Sequence, residues 1–168
     1  AGGVESMSLV PMTGFRVSPN PYLIANMPEV YMSMGLTAER VAEEFEVSRQ
    51  AQDEFALRSH KRAAAATQAG KFKEEIVPVV FEQVSPGVNG DQIRDEAVFD
   101  IDEHLRPNTT LDGLAKLQPV FKQGGTVTAG NASPLSDGAA GVIVMEREMA
   151  ERLGLTPMLR FVSFAVAG

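Results

Sequence analysis

The strongest hydrophobic periodicity lies between residues 37 and 69. Ala38, Val41, Ala42 and Phe45 recur at helical spacing behind Thr37, which is placed to N-cap a helix with Glu39 in its first turn. Ser48 is placed to cap a second helix. There Ala51, Phe55, Ala56, Ser59, Ala63 and Ala66 share one side, and Gly70 supplies a stop. The opposite side carries Asp53, Glu54, Arg58, Lys61 and Arg62 and reads as the solvated face. Residues 4–36 show no such period. Pro11, Pro19, Pro21 and Pro28 interrupt any long helix, and Met7, Met12, Met27, Met32 and Met34 fall in the same stretch. A Met-rich irregular segment either fills core gaps with flexible thioethers or lines a slot for an apolar ligand arm.

Beyond Gly70 the pattern turns to β-formers. Residues 75–83 read as a strand that Pro78 confines to an edge or a bulge. Residues 84–96 read as a polar loop around Pro86-Gly87 and Asn89-Gly90, and 97–101 as a short strand. A short helix is predicted over 110–118, with Leu111, Leu114, Ala115 and Leu117 on its apolar side. Gly141 to Met145 reads as a buried strand, 146–153 as a helix closed by Gly154, and 158–167 as a further strand. Helices alternating with strands through small-residue turns predict a mixed α/β chain.

Composition narrows the function classes. With 168 residues, 44% hydrophobic and 22% charged, the chain is ordinary for a globular protein and long enough to build a core without staples. A net charge of −7 argues against nucleic acid as the main partner, while leaving room for a local basic pocket. There is no cysteine, so these residues hold no disulfide, thiolate metal site or cysteine nucleophile. No apolar run approaches the roughly 20 residues of a membrane helix. Both ends are apolar, Ala1 to Val4 and Phe161 to Gly168, and read like the interiors of buried elements. The expectation is a piece of a longer protein.

The run from Thr126 to Ala140 is the most informative. Gly130 and Asn131 tolerate positive φ, Ser133 is placed to N-cap, and Pro134 fits a first helical position. Small residues there let a backbone or a thin ligand approach closely, although a tight buried crossover needs the same residues. Asp137 reads as a satisfied structural carboxylate. Arg106, fixed ahead of Pro107, is either a phosphate ligand or an ordinary surface arginine. His60 lies among Arg58, Lys61 and Arg62, and His104 follows the acidic run from Asp100 to Glu103. Neither has a nucleophile or a metal-spaced partner nearby, and both read as surface residues. Gly124-Gly125 lacks the Gly-Lys-Ser/Thr of a nucleotide phosphate loop.

Taken in order, these pieces resemble the thiolase family along the whole chain. The resemblance is carried by Ala1 to Ser8, Met34 to Ala42, Ser48 to Ala56, Phe72 to Pro78, Leu105 to Phe121, and Thr128 to Ala140. It implies two similar α/β domains in a five-layered arrangement, with a loop domain covering coenzyme A (CoA). Residues 1–10 would end a strand of the N-terminal domain, 11–124 would form the loop domain, 125–153 would return to the N-terminal domain, and 154–168 would begin the C-terminal domain. The resemblance assigns Arg106 to the adenine and phosphates of CoA, and Leu117, Val120 and Phe121 to its groove, with Val120 replacing a common alanine. It assigns Ala129 and Ser133 to the pantetheine arm and Met34 to the acyl-thioester. Ser33 stands where some biosynthetic members carry histidine, and Gly113 where some carry serine. Both departures weaken a short-chain biosynthetic reading, and the Arg106-Pro107-Asn108-Thr109-Thr110 form with the Asn20 to Met34 segment resembles degradative 3-ketoacyl-CoA thiolases of bacterial type, acting on CoA thioesters as substrates with no covalently bound cofactor and no metal. The complete enzyme would be a cytoplasmic homodimer or homotetramer. No residue here matches the family's catalytic cysteines or histidine, so the chain alone is expected to be inactive. The rival reading is a stand-alone CoA-binding or oligomerisation module derived from a thiolase.

Overall fold

A computed structural model describes residues 1–11, 14–88 and 90–166. Met12, Asn89 and the last two residues of the terminal strand and apolar run, Ala167 and Gly168, lie outside the described residues. In chain order the elements are β1 (Gly2–Glu5), α1 (Pro21–Asn26), a 3-10 turn (Pro28–Tyr31), α2 (Met34–Glu44), α3 (Arg49–Gln68), β2 (Val79–Pro86), β3 (Gln92–Phe99), α4 (Leu111–Ala115), β4 (Gly138–Gly141) and α5 (Arg147–Arg152). The chain divides into two compact units, one of residues 1–18 with 135–168, the other of residues 19–134.

In the first unit β1 pairs antiparallel with β4, Gly2 opposite Gly141 and Glu5 opposite Gly138. The pairing continues past the strands, since the Ala1 amino group donates to the Val142 carbonyl at 2.8 Å and the Val142 amide to Ala1 at 2.7 Å. Glycine is required at position 2, because a Cβ there would stand 2.6 Å from the Ala140 carbonyl oxygen. The buried strand predicted over 141–145 is replaced by β4, which ends at Gly141, and Ile143 is 88% exposed. No strand forms over the described residues of 158–166. Apolar content marked these segments as interior, but no second layer covers them among the described residues. The α5 helix is close to expectation, with Gly154 at φ +67 behind it.

In the second unit the prolines start helical turns instead of breaking them. Pro21 and Pro28 stand in the first turns of α1 and of the 3-10 turn, where a missing N–H is no loss. The Asn20 side chain caps α1 by accepting from the Tyr22 amide at 2.9 Å. The methionines of this stretch do not fill a core: Met27 and Met34 are 54% and 73% exposed. α2 begins four residues before the expected start. Ser33, not Thr37, is its N-cap, and the Thr37 hydroxyl donates back to the Ser33 carbonyl at 3.1 Å. Gly35 is then helical, and a Cβ on it would fall on the Phe121 ring.

The predicted loop over 84–96 is mostly sheet. β2 and β3 form a hairpin from Val79 opposite Phe99 to Pro86 opposite Gln92. Its tight closure has the Gly87 amide donating to the Asp91 carbonyl at 2.7 Å, with Gly90 at φ +83. Pro78 falls just outside the ladder, and Pro86 closes it, so neither removes an interior hydrogen bond. The charged residues that made β3 look like loop pair across the sheet, Arg94 to Glu82 at 2.6 Å. Leu114, Val127 and Thr128 form the buried centre of this unit, and two carboxylates, Glu39 and Asp53, are buried beside them.

Candidate functional site

The second unit carries a cleft of about 700 Å³ between the 104–117 stretch and the 129–134 turn, with His60 at its edge. Its first wall is built by two threonines. The Thr109 hydroxyl and amide both donate to the Arg106 carbonyl, at 2.7 and 3.1 Å, and close a turn around Pro107. The Thr110 hydroxyl caps α4 by accepting from the Gly113 amide at 3.1 Å. Arg106 is thereby held at the cleft with its side chain exposed, and it makes no ion pair among the described residues.

The second wall is the small-residue turn. Asn131 folds it, accepting from the Thr128 amide at 2.8 Å, while the Thr128 hydroxyl accepts from the Gly130 amide at 3.2 Å. The walls meet at Gly130, where a Cβ would stand 2.6 Å from Leu114 Cδ2. No helix follows Ser133-Pro134, contrary to the capping expected there. The chain runs on without regular structure to β4, and Ser133 lies just past the turn.

The turn is anchored by a residue whose sequence position suggests only a place in the first turn of a helix. Glu39 of α2 is 5% exposed and accepts from the Val127 amide at 2.8 Å, the Thr126 amide at 2.9 Å and the Thr126 hydroxyl at 3.0 Å. Burial by itself would raise its carboxyl. The amides of Val127 and Thr126, the Thr126 hydroxyl and the Lys122 ammonium outweigh that and hold it below the ordinary glutamate value. Asp53, assigned to the solvated face of α3, is in fact buried. Its Oδ2 faces Arg49 Nε at 2.8 Å and its Oδ1 accepts from Asn131 Nδ2 at 3.0 Å. Phe55, on the face expected to be buried, is 65% exposed, while Glu54, Arg58, Lys61 and Arg62 are exposed as expected; Asp53 alone of that polar set turns to the unit's centre, where Arg49 and the Asn131 amide group are its partners.

Of the residues proposed from sequence, Arg106, Leu117 and Ala129 line the cleft. Ser133 is flanked by two lining residues, Ala132 and Pro134. Met34, Val120 and Phe121 are not part of that lining. Phe121 lies against Gly35, next in sequence to Met34, away from the cleft lining. The histidines read as surface residues both reach the cleft. His60 is half-buried, and its Nδ1 accepts from the Arg106 amide at 3.3 Å; His104 is exposed at the rim. A signal existed for His60 only in its helical phase relative to Asp53. In the first unit Asp137 has the structural role expected of it. Its Oδ1 accepts from the Ser8 amide at 2.9 Å and the Ser8 hydroxyl at 3.0 Å, and these bonds hold its carboxyl low. Among the described residues, no cluster of three or more metal-ligating side chains is present, and no helix is long and apolar enough to cross a membrane.

The chain is 54% identical over 168 residues to a 3-ketoacyl-CoA thiolase of Bacillus subtilis, covering 100% of this chain and 43% of that protein. It is 48% identical to the β-ketothiolase BktB of Cupriavidus necator, over 99% of this chain and 43% of that relative. It thus spans less than half the length of these relatives. Among solved structures, the dimeric peroxisomal thiolase of Saccharomyces cerevisiae matches with TM-score 0.71 and 38% identity, over 92% of this chain and 38% of that one. Human mitochondrial 3-ketoacyl-CoA thiolase in complex with CoA matches with TM-score 0.67 and 34% identity, over 93% of this chain and 39% of that one. The fold is therefore α/β and part of the thiolase fold. The family model for the thiolase N-terminal domain matches residues 1–148, and the chain belongs to the thiolase family.

Proposed function

We propose that this chain is the portion of a degradative 3-ketoacyl-CoA thiolase that berths coenzyme A. The observation that carries the reading is the cleft shared by Arg106, Leu117 and Ala129, residues from separate stretches of sequence. CoA is long, thin and anionic at one end. The guanidinium of Arg106, with the imidazoles of His60 and His104 beside it at the rim, suits its phosphates. The apolar wall of Leu114 and Leu117, facing the bulk-free Ala129-Gly130 turn, suits the pantetheine arm. Met34, Val120, Phe121 and Ser133 are proposed as further contacts, with Met34 and Phe121 toward the acyl end. Residues 11–124 would be the loop domain, 1–10 and 125–153 parts of the N-terminal domain, and 154–168 the start of the C-terminal one.

In the complete enzyme, CoA would cleave a 3-ketoacyl-CoA to acetyl-CoA and a shortened acyl-CoA, as in fatty-acid β-oxidation. This stretch would hold the thioester in place while the nucleophile and proton carriers come from other parts of the protein. A homodimeric or homotetrameric cytoplasmic enzyme is the proposed setting. Calorimetric titration of CoA into the chain tests the reading. Binding is expected, weakened about tenfold by Arg106→Ala through loss of a charge-assisted contact. No heat from the parent chain, unchanged affinity in the variant, or thiolytic turnover by the pure chain would each overturn it.

A further inference from the structure

We propose that Asp53 is a positioning residue that sets the separation of the two cleft walls, one carboxylate oxygen serving each wall. Its Oδ2 faces Arg49 Nε at 2.8 Å, and the Arg49 Nη2 donates to the carbonyls of Leu114 at 2.6 Å and Leu117 at 3.1 Å. Those carbonyls belong to the first wall, at the C-terminal end of α4. The other oxygen, Oδ1, accepts from Asn131 Nδ2 at 3.0 Å. The same Nδ2 donates to the Thr126 carbonyl at 3.1 Å, while Asn131 Oδ1 accepts from the Thr128 amide. That set of bonds fixes the second wall.

Two features make this more than ordinary packing. First, the carboxylate is 4% exposed and sits on a 20-residue helix, so its reference frame is rigid and dry. Second, the walls touch at Gly130 through the ends of Leu114 and Leu117, contacts that set a minimum distance, while Asp53 supplies the polar tie that stops them parting. Only a two-oxygen acceptor does this. An asparagine in its place keeps one acceptor and turns an NH₂ group toward a donor, Arg49 or Asn131. Arg49 likewise reaches Asp53 and two carbonyls at once because its guanidinium is a rigid fork, a reach lysine lacks.

The inference rests on the reading of the cleft as a CoA berth only for what the walls hold; their coupling stands on its own. Hydrogen exchange read residue by residue on the full chain separates the two. Asp53→Asn should speed exchange about tenfold or more at both the Leu114 and Leu117 amides and the Thr128 and Gly130 amides. Arg49→Lys should speed only the first pair and Asn131→Ala only the second. The β2–β3 hairpin should be unchanged in all of them, which general destabilisation would not produce. CoA affinity should fall about tenfold in Asp53→Asn. If Asp53→Asn disturbs one wall alone, or the hairpin equally, the coupling is wrong. If Asp53→Asn does not fold, the double variant Arg49→Lys/Asn131→Ala decides the question: faster exchange than the two single effects combined supports the coupling, and strictly additive effects overturn it. A parent chain that ignores CoA but shows the two-wall pattern would sink the berth and leave the coupling standing.

Discussion

Glu39→Gln is the sharpest perturbation of the cleft's foundation, because it changes charge and hydrogen-bond direction without changing shape. Both carboxylate oxygens of Glu39 accept from the Thr126 amide at 2.9 Å, and between them they also take the Val127 amide and the Thr126 hydroxyl. Glutamine keeps one acceptor oxygen and points an NH₂ at a buried donor. Losing a hydrogen bond to a charged group costs about 1.5–3 kcal/mol, and a donor left unsatisfied adds to that. The net loss should be about 3 kcal/mol, or a drop in Tm on the order of 10 °C for a chain of this size. Nearby space gives no relief, since a Cβ on Gly125 would fall on Glu39 Oε1. The native carboxyl lies below its ordinary 4.5. Its contribution is therefore fully present above the unfolded value and is lost as pH falls through the lower native one. Thermal melts followed by circular dichroism at a series of pH values should show a constant gap between parent and variant from pH 7 down to about 4.5, closing below that. A gap smaller than about 0.5 kcal/mol at pH 7, or one that persists unchanged in acid, would refute the assignment of Glu39 as the anchor of the 126–127 amides.

The packing has two further consequences. Gly35→Ala should destabilise the second unit by about 1–3 kcal/mol, because the added methyl group meets the Phe121 ring. Phe121→Ala in the same chain should recover most of that loss, and additive effects in the double-mutant cycle would deny the contact. The chain should also bind a hydrophobic dye and self-associate, since Met158, Phe161 and Phe164 are 96%, 83% and 79% exposed, as is Ile143 at 88%. A dye-silent monomer by light scattering would contradict this.

What the sequence made legible was local chemistry. The α3 cap at Ser48, the existence of the α4 helix, and the Gly154 stop are decided by a few neighbouring residues, and short-range rules read them. What it hid was chemistry settled across distance. Asp53 looks like any solvated aspartate on a helix until Asn131, 78 positions away, is seen to donate to it. Glu39 looks like a helix-dipole residue until the Thr126 and Val127 amides turn out to have no strand to pair with. The second strand of the hairpin is hidden for the same reason, since Arg94 is loop-like singly and strand-like only when paired across the sheet with Glu82. The apolar runs over 142–145 and 158–166 failed in the opposite sense. Their composition asks for a covering layer, and a strand without a neighbour has nothing to bond its amides to. A polar residue on an α-helix was therefore read by its periodicity, when the amides it faces decide whether it is surface or foundation. In this chain two such residues, one on α2 and one on α3, hold the turn on which the candidate site depends.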